Sequence, residues 1–239
     1  DVRRLDSANK GVAQLVKDSL PQSAKIIDAT QVGAIGSIAL KQLGINPKVD
    51  PTDIIVKYNL NNKTYLMKIS AKSYNDPRNI LMKNSGLQSA GRNYLGGRYG
   101  QEMDALWPKI REKYMWDDSM PDEKKALHKG LLRQTYLSEF SKRMQQLSKT
   151  PEGQQQLLAM WNSVHGCGSN VHTLITNKHT GECVLRNPGY YCSPEVPFKV
   201  EYDGIKVRIK MSTSSEQFLE VTMKTENSKS PILIFRHRS

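Results

Sequence analysis

The chain has 239 residues, 38% hydrophobic and 24% charged, a balance that excludes an intrinsically disordered chain. That length fits one elaborated domain or two small ones and can bury a core without disulfides. The formal net charge of +12 points to a polyanionic partner, nucleic acid ahead of an anionic membrane surface, and no apolar run approaches the roughly 18 residues a membrane helix needs.

In chain order, Val12, Leu15 and Val16 recur at helical spacing within 8–19, and Pro21 follows, which predicts a short helix. Residues 30–43 follow Asp28, a candidate cap. They carry Val32, Ile35, Ile38, Ala39 and Leu43 as an apolar stripe before Gly44, which predicts a second helix. The runs 52–58 (TDIIVKY) and 64–70 (TYLMKIS) are rich in β-branched and aromatic residues, with NLNNK between them, the pattern of a β-hairpin. Asp76-Pro77 opens a turn and a further helix, and 79–163 reads as largely helical. Within it, 121–149 begins PDEKK, and Pro151-Glu152 starts the next helix, which runs through Trp161 to the glycines at 166 and 168. From 171 onward VHTLIT, ECVLR, FKVEY, IKVRIKM, FLEVTM and ILIFR are short strand-like runs, with Asp203-Gly204 marking a tight hairpin. The chain therefore reads as mixed α and β: 1–100 with the early hairpin, 101–165 as a helical insertion, and 166–239 as a β-rich part. The late strands either extend the early sheet or form a subdomain.

The hairpin carries the chemistry. It sets Asp53 at the start of one strand and Lys72 at the end of its antiparallel partner, so chain reversal brings both to one rim. Ser70 and Lys72, two apart, share a face. A carboxylate that holds a divalent cation and an amine that orients or deprotonates a water suit phosphodiester hydrolysis. The competing reading is an ordinary Asp and Lys flanking a surface hairpin.

A helix before the Asp-bearing strand, a hairpin leading to x-x-Lys and a helix after it together resemble the PD-(D/E)xK nuclease superfamily, over roughly residues 25–95. The resemblance implies a restriction-endonuclease-like α/β (α+β) fold, a mixed β-sheet core flanked by helices. It implies Mg²⁺ at Asp53, with the main-chain carbonyl of Ala71 facing the metal, and Lys72 acting on the nucleophilic water. The preceding helix would add a polar residue, Gln31 first and Asp28 second. Ser70 stands where the family usually has Asp or Glu, and a hydroxyl is a weaker Mg²⁺ ligand. Three alternatives stay open: a site of Asp53, a backbone carbonyl and waters; a compensating acid at Asp50 or Asp76; or a fold that binds without cutting.

The segments after Lys72 mix Lys, Arg, Asn, Ser and Tyr with glycines, a pattern suited to phosphates and base edges. Arg78, Lys83, Asn84, Arg92, Asn93 and Arg98 are the candidate nucleic-acid contacts. Lys206, Arg208 and Lys210 alternate on one strand, either a phosphate-facing stripe or the wet side of a sheet. His165, Cys167, His172, His179, Cys183 and Cys192 match no paired zinc spacing. Three cysteines read as reduced thiols and hence a cytoplasmic protein. The expected function is a Mg²⁺-dependent endonuclease of the type II restriction kind, cutting double-stranded DNA as a possible homodimer without membrane association. The alternatives are a non-catalytic DNA-binding module on the same fold and an RNA-directed nuclease or toxin.

Overall fold

The computed structural model describes residues 12–32, 42–44, 52–76, 78–90, 94, 97–116, 119–177, 179–192, 194, 196–212, 216–225 and 232–239. Its elements in chain order begin with helix α1 (12–19), strands β1 (Lys25–Gln31), β2 (Ile54–Leu60), β3 (Lys63–Tyr74) and β4 (Asn79–Gly86), and a helical turn at Leu87–Ala90. Helices α2 (Gly97–Tyr114), α3 (Asp122–Leu147) and α4 (Pro151–His165) follow. Strands β5 (Val171–Asn177), β6 (Cys183–Arg186), β7 (Phe198–Tyr202), β8 (Val207–Met211), β9 (Phe218–Lys224) and β10 (Ile232–Arg238) complete the chain. The class is α+β, with two five-stranded sheets in two compact units.

The first unit comprises residues 1–80 and 165–193. Its sheet runs β1-β2-β3-β5-β6, with β1, β2 and β3 an antiparallel meander, β5 parallel to β3, and β6 antiparallel to β5. The β2–β3 hairpin closes on Asn61 and Asn62, both with positive φ (50° and 60°), the backbone of a two-residue turn matched to strand twist. Asn tolerates that region better than most side chains. In register, Ile54 faces Ile69, Val56 faces Met67 and Tyr58 faces Tyr65. Paired residues share a face, and this one packs against α1. Val16, Val56, Met67, Ile69 and Leu174 form its buried core, flanked by Val12, Leu15, Cys183 and Leu185. Each fully buried aliphatic side chain here contributes about 1.5–3 kcal/mol. Period-two alternation then sends Asp53, Ile55, Ser70, Lys72, Thr173, Ile175 and Arg186 to the opposite face.

Three expectations change. Thr30 and Gln31 end strand β1 instead of starting a helix, and Asp28 is a strand residue, not a cap. Residues 33–41 of that expected helix lie outside the described residues. The expected start at 30 fails because edge strand β1 runs through it, exposed throughout and without a buried face, whereas Gln42 is helical and Gly44 has positive φ (72°), the stop expected there. Second, the chain after Asp76 forms β4, not a helix, so Lys83 and Asn84 are strand residues. Third, the late strands divide: β5 and β6 extend the early sheet, whereas β7–β10 make a second sheet with β4.

The second unit comprises residues 81–164 and 194–239, with sheet order β4-β10-β9-β8-β7. One face is apolar, carrying Val207, Ile209, Leu219, Val221, Leu233 and Phe235, all buried. Helix α3 lies against β7 and β9 and buries Leu132, Leu137, Phe140 and Met144. The turn from α3 into α4 is so tight that a Cβ at Gly153 would meet the Leu147 carbonyl, so only glycine fits.

Candidate active site

Asp53 sits one residue before β2, inside the sheet. Its N–H donates to the Ile69 carbonyl (2.9 Å), and its own carbonyl accepts from Val32 N–H (2.8 Å). Backbone pairing on both sides fixes where the side chain leaves. Asp53 Oδ2 then accepts two hydrogen bonds, from Ala71 N–H at 2.7 Å and from the Ser70 hydroxyl at 3.1 Å. Among the described residues Oδ1 accepts none. One carboxylate oxygen is therefore held and the other is left open. Ser70, in the position where an acid was expected, is buried and orients the carboxylate instead of adding a second one. The Ala71 contact to Asp53 runs through its amide.

Lys72 shares this face. Burial lowers its pKa from the ordinary lysine value, and the nearby Asp53 charge offsets only part of that. Among the described residues no hydrogen bond or close ion pair holds its amine. Holding a lysine amine in a poorly solvated place without a tight partner costs stability, and it makes the neutral, proton-accepting form easier to reach.

The other predicted residues are dispersed. Gln31 pairs with Ile54, so it projects from the α1 face, opposite Asp53, and cannot complete the site. Asp28 pairs with Lys57 on the Asp53 face but four residues along the strand, about 13 Å away. Its carboxylate accepts the Thr30 hydroxyl (2.8 Å). Asp76 pairs with exposed Arg78 (3.4 Å). Lys83 and Asn84 lie on β4, in the second unit, where the Lys83 amine is 5.7 Å from the Tyr94 ring centroid. Asp50, Arg92 and Asn93 lie outside the described residues, as does the Arg98 side chain.

The reduced-thiol expectation is overturned. Cys167 and Cys192 form a disulfide, leaving Cys183 free, so the argument from reduced thiols to the cytoplasm loses its basis. Among the described residues no three His, Cys, Asp or Glu gather as a metal cage, and no helix is long and apolar enough to cross a membrane. The Lys206, Arg208 and Lys210 stripe is paired. Lys206 bonds Glu220 (3.3 Å), Arg208 bonds Asp203 (2.6 Å) and Lys210 bonds Glu201 (2.6 Å).

One group was missed by sequence reasoning. Ser70 pairs with Thr173 across β3–β5, and Thr173 with Arg186 across β5–β6, so Arg186 lies on the Asp53 face. Its guanidinium stacks 4.4 Å from the Tyr190 ring centroid. The sole sequence signal was an Arg four residues before a Tyr-Tyr pair, and only strand pairing connects it to Asp53.

No protein-family model matches the chain, and no curated protein matches it.

Proposed function

We propose that the chain is a metal-dependent endonuclease that hydrolyses phosphodiester bonds of double-stranded DNA, built on a restriction-endonuclease-like core. The observation that carries the proposal is the convergence at the β2–β3 rim, where Asp53 is held by Ser70 and the Ala71 amide beside an unclamped Lys72. The donor set fits Mg²⁺ in one specific sense. Mg²⁺ keeps several waters and takes one or two carboxylates plus substrate phosphates, and Asp53 offers one oriented carboxylate with an open oxygen. When bound, the cation would neutralise phosphate charge and lower the pKa of its water. Lys72 accepts or directs the proton of the attacking water, which its lowered pKa favours. Ser70 keeps the carboxylate in one rotamer. With one such rim per chain, cutting both strands at a symmetric target calls for two copies.

The test is incubation of the purified chain with plasmid DNA and Mg²⁺ or Mn²⁺. Discrete fragments from the wild type, lost in Asp53→Asn, support the proposal. Wild-type protein that leaves DNA intact under every divalent ion sinks it. The second reading, a module that binds DNA without cutting, is favoured by Ser70 itself, whose hydroxyl replaces a second carboxylate. Salt-dependent binding without cleavage selects that reading.

A further inference from the structure

Arg186 ends β6 on the face that carries Ser70, and the row Ser70–Thr173–Arg186 crosses two strand spacings, about 10 Å. That falls between one and two phosphate steps along one strand of B-form DNA, whose neighbouring phosphates, about 3.4 Å apart along the axis, are about 7 Å apart in space. Three observations mark Arg186 as more than a solvated charge. Among the described residues its Nε is buried without a hydrogen-bond partner, while the guanidinium hydrogen-bonds the Tyr191 hydroxyl. Its guanidinium lies over the Tyr190 ring, while Tyr190 itself remains exposed. The turn bearing these rings is fixed: Tyr190 and Tyr191 meet edge to face at 4.9 Å, Tyr191 lies 5.5 Å from the His165 ring, and Cys192 is bridged to Cys167. An arginine held in one orientation by the Tyr190 ring and the Tyr191 hydroxyl suits an oxyanion at its terminal nitrogens, because the guanidinium fork matches phosphate geometry and loses little freedom on binding. The exposed Tyr190 ring offers a flat surface beside it.

We propose that Arg186 anchors a backbone phosphate of the nucleic acid one or two nucleotides from the bond at Asp53, with Tyr190 holding the guanidinium in place. This rests on the nuclease reading for its substrate, but it concerns binding and is tested apart from cleavage. Tyr191 supports the arrangement: burial raises its pKa to about 12, so the phenol stays neutral and adds no negative charge beside the anion.

The experiment is fluorescence anisotropy of the full chain with a short labelled DNA duplex in EDTA, across a salt series. Arg186→Ala is expected to weaken binding on the order of ten-fold and to lower the salt slope by about one. Arg186→Lys keeps the charge but not the fork, so it retains the slope and still binds several-fold more weakly, with an unchanged melting temperature. Tyr190→Ala weakens binding with the slope intact. Lys142→Ala, an exposed cation paired with Glu139, behaves as wild type. If Arg186→Ala keeps wild-type affinity and slope, or only lowers the melting temperature, the anchor is overturned. Equal affinity in Arg186→Lys overturns it too, as does a wild-type chain that binds no duplex. If DNA is never cut but the Arg186→Ala slope falls, the catalytic reading fails and the anchor stands. Cleavage with Arg186 variants unchanged gives the reverse.

Discussion

The two sheets treat positive charge in opposite ways. On the second unit's polar face Lys206, Arg208, Lys210, Arg236 and Arg238 each have a partner. Glu220, with a side chain only 4% exposed, takes Lys206 and Arg238 together, and Arg236 bonds the Thr222 hydroxyl. On the first unit's sheet, among the described residues, Lys72 has no tight partner and Arg186, bonded to the Tyr191 hydroxyl, still keeps its buried Nε unpaired. Ion pairing serves the fold, whereas cations kept unsatisfied at a cost in stability mark places where an anion from outside completes the structure. A net charge of +12 therefore says less about where nucleic acid binds than the state of each individual cation does.

The largest effect expected from this contrast is at Lys72. Lys72→Met should lower cleavage by about 10²–10⁴, the usual worth of a positioned proton acceptor, while the melting temperature stays level or rises. The sign follows from linkage. The folded pKa lies below the unfolded one, so at neutral pH the unfolded chain holds the Lys72 proton more tightly, and removing the amine removes that cost. Thermal melts and plasmid cleavage on the same preparation check both halves. A strongly destabilised Lys72→Met protein would show that Lys72 belongs to the fold.

Glu220 should behave oppositely. Burial opposes its ionisation, yet Arg238 and Lys206 outweigh that and hold its pKa below the ordinary carboxylate value. Glu220→Ala leaves two cations facing each other and should cost roughly 3 kcal/mol in denaturant unfolding, with DNA binding unchanged. A loss under 1 kcal/mol would mean the lattice is decorative.

The same unit should lose stability in acid before its carboxylates titrate. Burial lowers the pKa of His237 to about 4, where its ring meets Trp161 edge to face at 6.0 Å. With a folded value near 4 and an unfolded value near 6.5, the unfolded chain binds more protons in between. His237 therefore contributes its full stability above pH 6.5, and about 3 kcal/mol is lost by pH 4. The Glu220 contribution disappears only below its unfolded value, near 4.5. Unfolding free energies measured from pH 7 to pH 4 should show that slope, and His237→Gln should flatten it.

How far the sequence carried these inferences depends on the range of each interaction. The β2–β3 hairpin was legible because β-branched runs flank a two-Asn turn, and the rim of Asp53, Ser70 and Lys72 follows from local alternation alone. Strand β1 was not legible: its residues are exposed throughout, so no buried period distinguishes it from a helix start. The pairing of Gln31 with Ile54 reversed its expected face for the same reason. Arg186 lies more than a hundred residues from Lys72 and joins that face only because β5 returns parallel to β3 after a long helical segment. Parallel pairing of that kind leaves no short-range mark. The Cys167–Cys192 bridge joins the residues that flank the antiparallel β5–β6 pair, 25 apart in sequence.

The smallest effect is the sharpest check on the comparison. Lys210 was one of three alternating cations that could have formed a phosphate stripe. In the fold it contacts Glu201 at 2.6 Å and lies 5.9 Å from the Phe218 ring centroid. Half of the Glu201 side chain is exposed, so the pair is screened and its loss should cost about 0.5 kcal/mol or less. A nucleic-acid phosphate would first have to displace Glu201, gaining little over the bond already present. Lys210→Ala should therefore leave both affinity and salt slope for duplex DNA at wild-type values, in contrast to Arg186→Ala. A slope lowered by about one in Lys210→Ala would show that paired cations on this sheet still meet phosphate, and pairing would then no longer separate the two faces.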